Sequence, residues 1–467
     1  MTIRRIIHFG CGAALMTSLA GCIGTPAEKP AVAEPRGWSA PVANRAPTWP
    51  APEWWSGFGS RELDRVVVTA HANNTDIAIA ATRILQAEAR TRIVGAALFP
   101  RISFNADAAL RGNAGNSSVT RSYGAGIGGS YEVDLWGRLR ANESAAQALL
   151  RASTADQSTV ALSITADVVN NYLIVLSLRD RLRIARSNLA NAQSVLTTIE
   201  ARVRAGAGTD LDLAQQRAVI AGQEAALPQL ERQEFEARSA LAVLLDQPLD
   251  TLTVVGGSLS GIRAPQVKPG LPSGLLTRRP DIKAAEERLA AAGADVQAAR
   301  AAFFPTISLT GSSNLASAAL TALFSGGSYS YGLAAGLVQP IFEGGRLIAE
   351  RDLALASQQE LVASYRAVIA SAFADVSVAL KAVETLNRQA VFVAEQQRQA
   401  QIAFRLADAR YRAGATDLIT LLDAQRTLFQ AEDQMAVVNL QRLQASVGLF
   451  RALGGGWQAM PGVAASR

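Results

Sequence analysis

Side chains that commonly bind metals or act as nucleophiles are scarce in this sequence. It has two cysteines and two histidines in 467 residues, and they form no Cys/His cluster of the kind that holds zinc or haem. No phosphate-binding loop of the form G-x-x-x-x-G-K-[ST] occurs, and nothing resembles a nucleophile with a base and an orienting group. We therefore expect no metal, no cofactor and no enzymatic activity.

Excess charge and long apolar spans are lacking as well. The formal net charge is +6, which is small for this length and does not favour nucleic-acid binding. The most apolar window, Val160 to Leu178, is interrupted by Asp167, Asn170 and Asn171. We therefore predict amphipathic helices that pack side by side in water rather than membrane-spanning helices.

The N-terminus is distinctive. Arg4 and Arg5 precede an apolar run from Ile6 to Ala20, which is typical of a secretory signal and too short for a stable membrane anchor. Leu-Ala-Gly-Cys at residues 19–22 is similar to a bacterial lipobox, which implies cleavage before Cys22 and a covalent lipid there. The alternative is an ordinary signal peptide followed by an incidental cysteine. An aspartate after the lipidated cysteine would favour retention of the lipoprotein in the inner membrane. Ile23 stands there instead, which favours the outer membrane.

A proline-rich segment follows the cysteine. Seven prolines lie between Ile23 and Glu53, which predicts an extended tether. Trp54, Trp55 and Phe58 end it. These rings suit either a membrane interface or docking onto the body of the protein.

One short motif occurs twice. Residues 201–207 are ARVRAGA and residues 409–415 are ARYRAGA, an offset of 208, and each copy is followed by Thr-Asp-Leu. Gly137-Arg138-Leu139 recurs at offset 208, and Phe99-Pro100 recurs at offset 205. The sequence therefore predicts two similar halves of one fold, each with a tight turn at the end of a helical hairpin.

Long helices are predicted before both turns. Residues 137–204 and 345–412 contain no proline, and no glycine after the first residue. At ~1.5 Å per residue each stretch makes about 100 Å of helix. Returning helices follow, and Pro228 predicts a kink or break in the first of them.

Alternating patterns predict two strands in each half, over residues 101–112, 121–134, 305–313 and 328–342. An apolar face alternates with a polar or glycine face, and the lengths approach the ~9–11 residues that cross a bilayer as a tilted strand. Four strands cannot close a barrel, so membrane strands would require several chains to share one barrel. The alternative is a soluble sheet with one wet face.

These patterns divide the chain into consecutive segments. The divisions are a signal peptide (1–21), a lipidated tether (22–60), a first repeat with its turn near 205–209 (61–245), an irregular connection (246–280), a second repeat with its turn near 413–416 (281–453) and a C-terminal tail (454–467).

Several motifs together resemble the outer membrane factor family, the TolC-like exit ducts of Gram-negative pumps. Besides the lipobox they are YEVDLWGR (131–138), LTRRPDI (276–282), QPIFEGGR (339–346), LLDAQ (421–425) and LGGGW (453–457). The lipobox and the LGGGW ending are most similar to NodT-type lipoproteins of resistance-nodulation-division (RND) efflux systems. The resemblance covers nearly all of the mature chain.

The resemblance implies a mainly α fold with a β membrane part. Three chains would share a 12-stranded transmembrane β-barrel, four strands each, continuous with a helical barrel in the periplasm. The homotrimer would be lipid-anchored in the outer membrane and would export small molecules passively. Its partners would be a periplasmic adaptor and an inner-membrane RND pump. A duct for type I protein secretion and a non-channel lipoprotein tether remain alternatives.

The resemblance also assigns roles to residues at the turns. Ala205, Gly206, Ala413 and Gly414 correspond to tips that meet the adaptor, although a positive φ alone also explains the glycines.

An aperture is implied close to these tips. Ile419 and Asp423 match positions that narrow the closed tube, and three copies of Asp423 would favour cations. Asp212 and Tyr411 match positions that hold neighbouring helices shut in TolC. Thr416 and Thr420 replace an arginine and an aspartate of TolC, so its salt-bridge lock is not expected here.

Overall fold

The computed structural model describes residue 38 and residues 49–113, 116–265 and 272–457. The predicted signal peptide, the lipidation site Cys22 and most of the tether lie outside the described residues. Two compact units are present. The first holds residues 83–154 and 284–367, and the second holds the described residues of 33–82, 155–283 and 368–467. Each unit therefore takes segments from both sequence halves.

Among the described residues both halves contain a helix, two strands, a long helix and a returning helix in that order, and the first half begins with one additional helix. In the first half these elements are α1 (Arg61–Asn73), α2 (Thr75–Gly95), β1 (Arg101–Asn113), β2 (Asn116–Val133), α3 (Arg138–Arg204) and α4 (Asp210–Leu244). In the second half they are α5 (Pro280–Ala301), β3 (Thr306–Ser317), β4 (Tyr329–Val338), α6 (Arg346–Arg412) and α7 (Leu418–Ala452).

Helix lengths match between the halves. Helices α3 and α6 each have 67 residues, and α4 and α7 each have 35. Of the predicted kink or break at Pro228, the break is wrong, because α4 runs through this residue. Its neighbours Leu227 and Leu230 pack in the apolar core of the second unit. Packing of this kind stabilises a helix that local propensity alone would interrupt.

The first unit contains an antiparallel sheet in the order β1-β2-β3-β4. Apolar side chains alternate along each strand with polar ones or glycine, and paired residues share a face, as Phe104 does with Ile127 and Asn105 with Gly126. Three strand bounds differ from the prediction by four residues or more, and the others differ by at most one. Strand β3 ends at Ser317 rather than 313. Strand β2 begins at Asn116 rather than 121, and β4 ends at Val338 rather than 342, just before Gln339-Pro340. Proline has no N–H to donate to a ladder.

The two hairpins of this sheet have equivalent registers. Arg101 pairs with Ser130 in the first hairpin, and Thr306 pairs with Val338 in the second. Strand β1 therefore maps onto β3 at offset 205, and β2 maps onto β4 at offset 208. The three additional residues of the second half lie in the β3–β4 connection.

The second unit is built on a large apolar core. Trp54 is 3% exposed and stacks on Phe450 at 4.9 Å between ring centroids, and Phe58 is fully buried. These rings were predicted either to lie at a membrane interface or to dock onto the body of the protein, and the structure shows them docked. Among the described residues one helix, α3, is long and apolar enough to cross a membrane by composition. Half of that apolar window is buried inside the protein, where Leu173 and Leu176 belong to this core.

The prediction of a loose tail from residue 454 is wrong for its first residues. Gly454, Gly455 and Gly456 all have positive φ, and the first two are buried. A Cβ on Gly454 would lie 1.9 Å from the carbonyl oxygen of Arg278. Arg279 donates to the carbonyl of Ala452 at 3.2 Å. The glycines are thus needed for close packing against the segment that begins the second half.

Candidate functional site at the two helical tips

The turns that carry the repeated motif have the same backbone. In the first, Gly206 has φ +74° and its N–H donates to Val203, while Ala207 donates to Arg202. In the second, Gly414 has φ +74°, and the equivalent bonds run from Gly414 and Ala415. This pair of bonds is the Schellman motif, which ends a helix with a left-handed residue.

The predicted tip residues are exposed. Ala205, Gly206, Ala413 and Gly414 are all at the surface of the chain. A Cβ added to Gly206 or Gly414 would meet nothing within 4 Å. Within the chain the positive φ alone accounts for these two glycines, and open space beside them leaves the backbone accessible.

The helices that follow the turns are capped differently. Thr209 caps α4 in a capping box: its backbone N–H donates to Asp212 Oδ2 at 2.8 Å, and its hydroxyl accepts from Asp212 N–H at 3.3 Å. Asp417 caps α7, and its Oδ1 accepts from Thr420 N–H at 2.9 Å. Hydrogen bonds from Thr420, side chain first and then backbone, lower the pKa of Asp417.

These caps correct the pairing of the two Thr-Asp-Leu triplets. The cap residues Thr209 and Asp417 are 208 apart, like the turn glycines, whereas the triplets are 207 apart. The equivalent of Ile419 is therefore Leu211, and the equivalent of Asp212 is Thr420. Ile419 and Leu211 are similarly exposed, at 69% and 65%.

Tyr411 lies in a small apolar core between the hairpins. It is 3% exposed and packs with Val195, Ile199 and residues of α7. Burial raises the pKa of its hydroxyl; the Arg202 charge opposes this shift, and the Asp212 charge adds to it. The Asp212 carboxylate accepts a hydrogen bond from the Thr209 N–H at the start of its own helix, and Tyr411 is held by apolar packing; a role for either residue in holding neighbouring helices shut stays a prediction.

Arg202 joins the two tips and was missed in the sequence. Its guanidinium donates to the carbonyl oxygen of Tyr411 at 2.5 Å and lies 4.6 Å from the centroid of the Tyr411 ring. Such a cation–π contact adds about 0.5–2 kcal/mol to a hydrogen bond. The repeated ARxRAGA motif contains this position. At offset 208 the counterparts of Arg202 and Tyr411 are Arg410 and Val203, and Val203 offers no ring.

Asp423 is exposed and paired. Arg426 Nη2 lies 2.6 Å from its Oδ1, and the two side chains are 70% and 63% exposed. Ile419 and Asp423 are four residues apart on one face of α7. The pair partly offsets the negative charge on which the expected cation preference depends. The i, i+3 spacing of Asp423 and Arg426 is visible in the sequence and predicts this contact.

The tips thus define a class of protein: long paired helices ending in exposed Schellman turns, in a chain that also carries a four-stranded antiparallel sheet. Residues 66–247 and 271–455 match the outer membrane efflux protein family. The chain belongs to this family.

Similar proteins span almost the whole chain. The pyoverdine export outer membrane protein OpmQ of Pseudomonas putida is 44% identical over 461 residues, covering 96% of this chain and 97% of that protein. The cation efflux system protein CusC of Escherichia coli is 32% identical, covering 94% and 97%. The solved outer-membrane channel OprN has a TM-score of 0.87 at 30% identity, covering 94% of this chain and all of that one. The expected mainly α fold with a β part is confirmed.

Proposed function

We propose that this protein is the outer membrane duct of an efflux pump, formed by three copies of the chain. The observation that carries the proposal is the four-stranded sheet with one apolar face in a member of the efflux family. Its strands have 13, 18, 12 and 10 residues, which suits the ~9–11 residues that cross a bilayer. Exposed Ile102, Phe104, Leu333 and Leu337 suit contact with lipid.

Three copies supply the twelve strands that a closed barrel of this kind requires. Only closure satisfies the backbone groups of edge strands in lipid. A lipid on Cys22 anchors each chain to the outer membrane, and several acyl chains make such an anchor stable. The duct is passive and catalyses no reaction, since transport energy enters at an inner-membrane RND pump.

The exposed tips are the proposed contact with a periplasmic adaptor. The backbone around Gly206 and Gly414 is open on the side where a Cβ would lie. A partner hairpin can therefore approach the main chain directly. The aperture lies just beyond the second turn, where Ile419 narrows the tube and Asp423 with Arg426 sets the charge at its mouth.

A conductance measurement tests the duct. Purified trimer in planar bilayers is expected to give a small conductance, because the tips are held by Arg202 and by the core around Tyr411. Ile419→Ala is expected to raise it, with Leu211→Ala as the matched control at the equivalent position of the first tip. A monomer without conductance would eliminate the shared barrel and favour the lipid-anchored tether.

The cargo we propose is an iron-chelating small molecule. The relatives that are 43–44% identical are both named for pyoverdine export, whereas a relative at 32% is named for cation efflux. A deletion strain is expected to release less iron chelator into the medium, with restoration by the intact gene. Unchanged chelator release with new sensitivity to copper or to solvents would point to another cargo.

A further inference from the structure

Two strand edges of the sheet are open. The sheet has the order β1-β2-β3-β4. Strands β1 and β4 are therefore its outer strands, and among the residues that the structure describes no further strand pairs with the backbone at their outer edges. Unpaired backbone N–H and C=O groups on such edges are costly in lipid and are templates for another strand. In the proposed duct, β4 of one copy therefore meets β1 of the next.

The internal repeat supplies a template for this joint. Strands β2 and β3 connect the first half of the chain to the second, and Ile127 lies opposite Ser313 in their ladder. The hairpin registers map β2 onto β4 at offset 208 and β3 back onto β1 at offset 205. Ile127 of β2 therefore corresponds to Ala335 of β4, 208 residues later, and Ser313 of β3 corresponds to Ala108 of β1, 205 residues earlier.

We propose that β4 of one copy pairs antiparallel with β1 of a second copy in the register that places Ala335 opposite Ala108. The inference rests on the proposed duct and deepens it, because it specifies how the partner copies join. The same register places Leu337 opposite Ala106 and Leu333 opposite Leu110.

The faces of the two strands agree in this register. On the apolar face, Leu333, Ala335 and Leu337 of β4 fall opposite Leu110, Ala108 and Ala106 of β1. A slip by one residue would turn every apolar side chain of one strand to the wrong face. The template was derived from the strand pairs and the offsets of the repeated motifs, and it places these apolar side chains on one face.

Side-chain size distinguishes the register from slips of two residues. Gly336 falls opposite Asp107, and Gly332 falls opposite Arg111, so these two charged residues of β1 meet the two glycines of β4. Within the chain, Asp107 likewise lies opposite a glycine. Its partner on β2 is Gly124, where an added Cβ would lie 2.5 Å from Asp107 Oδ1. A slip of two residues would place Asp107 opposite Ala334 or Val338 and lose both matches.

Disulfide cross-linking tests the register in the intact outer membrane. The double variant Ala335→Cys with Ala108→Cys is oxidised in cells, and its mass is read on non-reducing gels. Within one chain these residues are at least three strand spacings, ~14 Å, apart, beyond the ~7 Å limit for a disulfide. Any bond between them therefore joins two copies, and the expected product is a band at three times the chain mass that reduction removes.

Matched variants keep Ala335→Cys and move the partner by two residues. They are Ala335→Cys with Ala106→Cys and Ala335→Cys with Leu110→Cys, both on the same face. Diagonal neighbours are ~7–8 Å apart, so little cross-linked product is expected. The single variant Ala335→Cys controls for bonding through Cys22.

The outcomes separate the register from the duct itself. A trimer by mass in detergent that cross-links at a shifted pair, or at none of the three, overturns the register and leaves the duct standing. A monomer by mass that cross-links at no pair overturns the duct as well. Trimer mass of each unoxidised variant shows that the cysteines have not prevented folding.

Discussion

The two tips have the same backbone and different side chains. Both turns end a 67-residue helix with a glycine at φ +74°, yet only the second tip offers a buried aromatic ring, Tyr411, where the first has Val203. Only the second hairpin has a charged pair at the proposed aperture, since Gln215 and Ala218 occupy the positions of Asp423 and Arg426. Backbone geometry is therefore shared, while the proposed restraint belongs to the second half.

Removing the aromatic ring is expected to have the largest effect. Tyr411→Ala empties a site that is 3% exposed, and a large aromatic truncation in a core costs about 3–5 kcal/mol. It also removes the ring beneath Arg202. We expect faster amide exchange in the last turns of α3 and α6 and a higher conductance.

Val203→Ala is the matched change at the first tip. Because Val203 is only half-buried, its loss is expected to cost about 1 kcal/mol and to leave the conductance nearly unchanged. Equal effects of the two variants would show that the tips are equivalent and that the ring has no special role.

Alanine at the turn glycines is expected to affect both tips equally. Gly206→Ala and Gly414→Ala each force a residue with a Cβ into the left-handed region, at a cost of about 1–2 kcal/mol, with no steric clash in the chain. Local amide exchange at each turn measures this cost. A loss of efflux in cells that is much larger for one variant would identify the tip that the adaptor approaches more closely.

Charge substitutions at the aperture are expected to change ion selectivity more than stability. An exposed pair contributes only about 0.3–0.5 kcal/mol. Arg426→Ala leaves Asp423 unpaired and should increase cation preference, whereas Asp423→Asn should decrease it. Reversal potentials in a salt gradient measure both, with Gln215→Ala as the control. Identical selectivity in all three variants would place Asp423 away from the ion path.

The smallest expected effect is a pH dependence at the cap of α7 in the second tip. The folded pKa of Asp417 is lowered, so its capping contribution is present above the unfolded value of about 3.9 and is lost as pH falls through the folded value. We expect faster amide exchange in the first turn of α7 on acidification, and Asp417→Ser should abolish this change. An Asp417→Ser variant whose first turn of α7 still frays over the same pH range and to the same extent as in the unaltered protein would contradict it.

Local sequence patterns predicted the elements well. Period-two alternation located four strands, and the ARxRAGA motif located both turns. Where tertiary packing decides, the pattern misled: Pro228 lies within a continuous helix, and Gly454–Gly456 are packed rather than loose.

The candidate site was predicted in part. Exposure of the four tip residues and of Ile419 agrees with roles at a surface, but those roles stay predictions. Arg202 was missed because its acceptor is a backbone carbonyl 209 residues away, which no local spacing indicates. The two Thr-Asp-Leu triplets are identical in sequence at an offset of 207, but the residues that cap the two helices, Thr209 and Asp417, are 208 apart. Sequence identity alone therefore aligns this part of the repeat incorrectly by one residue.

Equal helix lengths constrain how such a chain can change in evolution. Seven residues inserted into α3 alone would move its tip by ~10 Å, and Arg202 would no longer reach Tyr411. The same insertion would have to occur in α4, α6 and α7 for the contact to survive. Length variation among such ducts should therefore occur as matched events in four helices, whereas the connection between β3 and β4 has already accepted three residues without a counterpart.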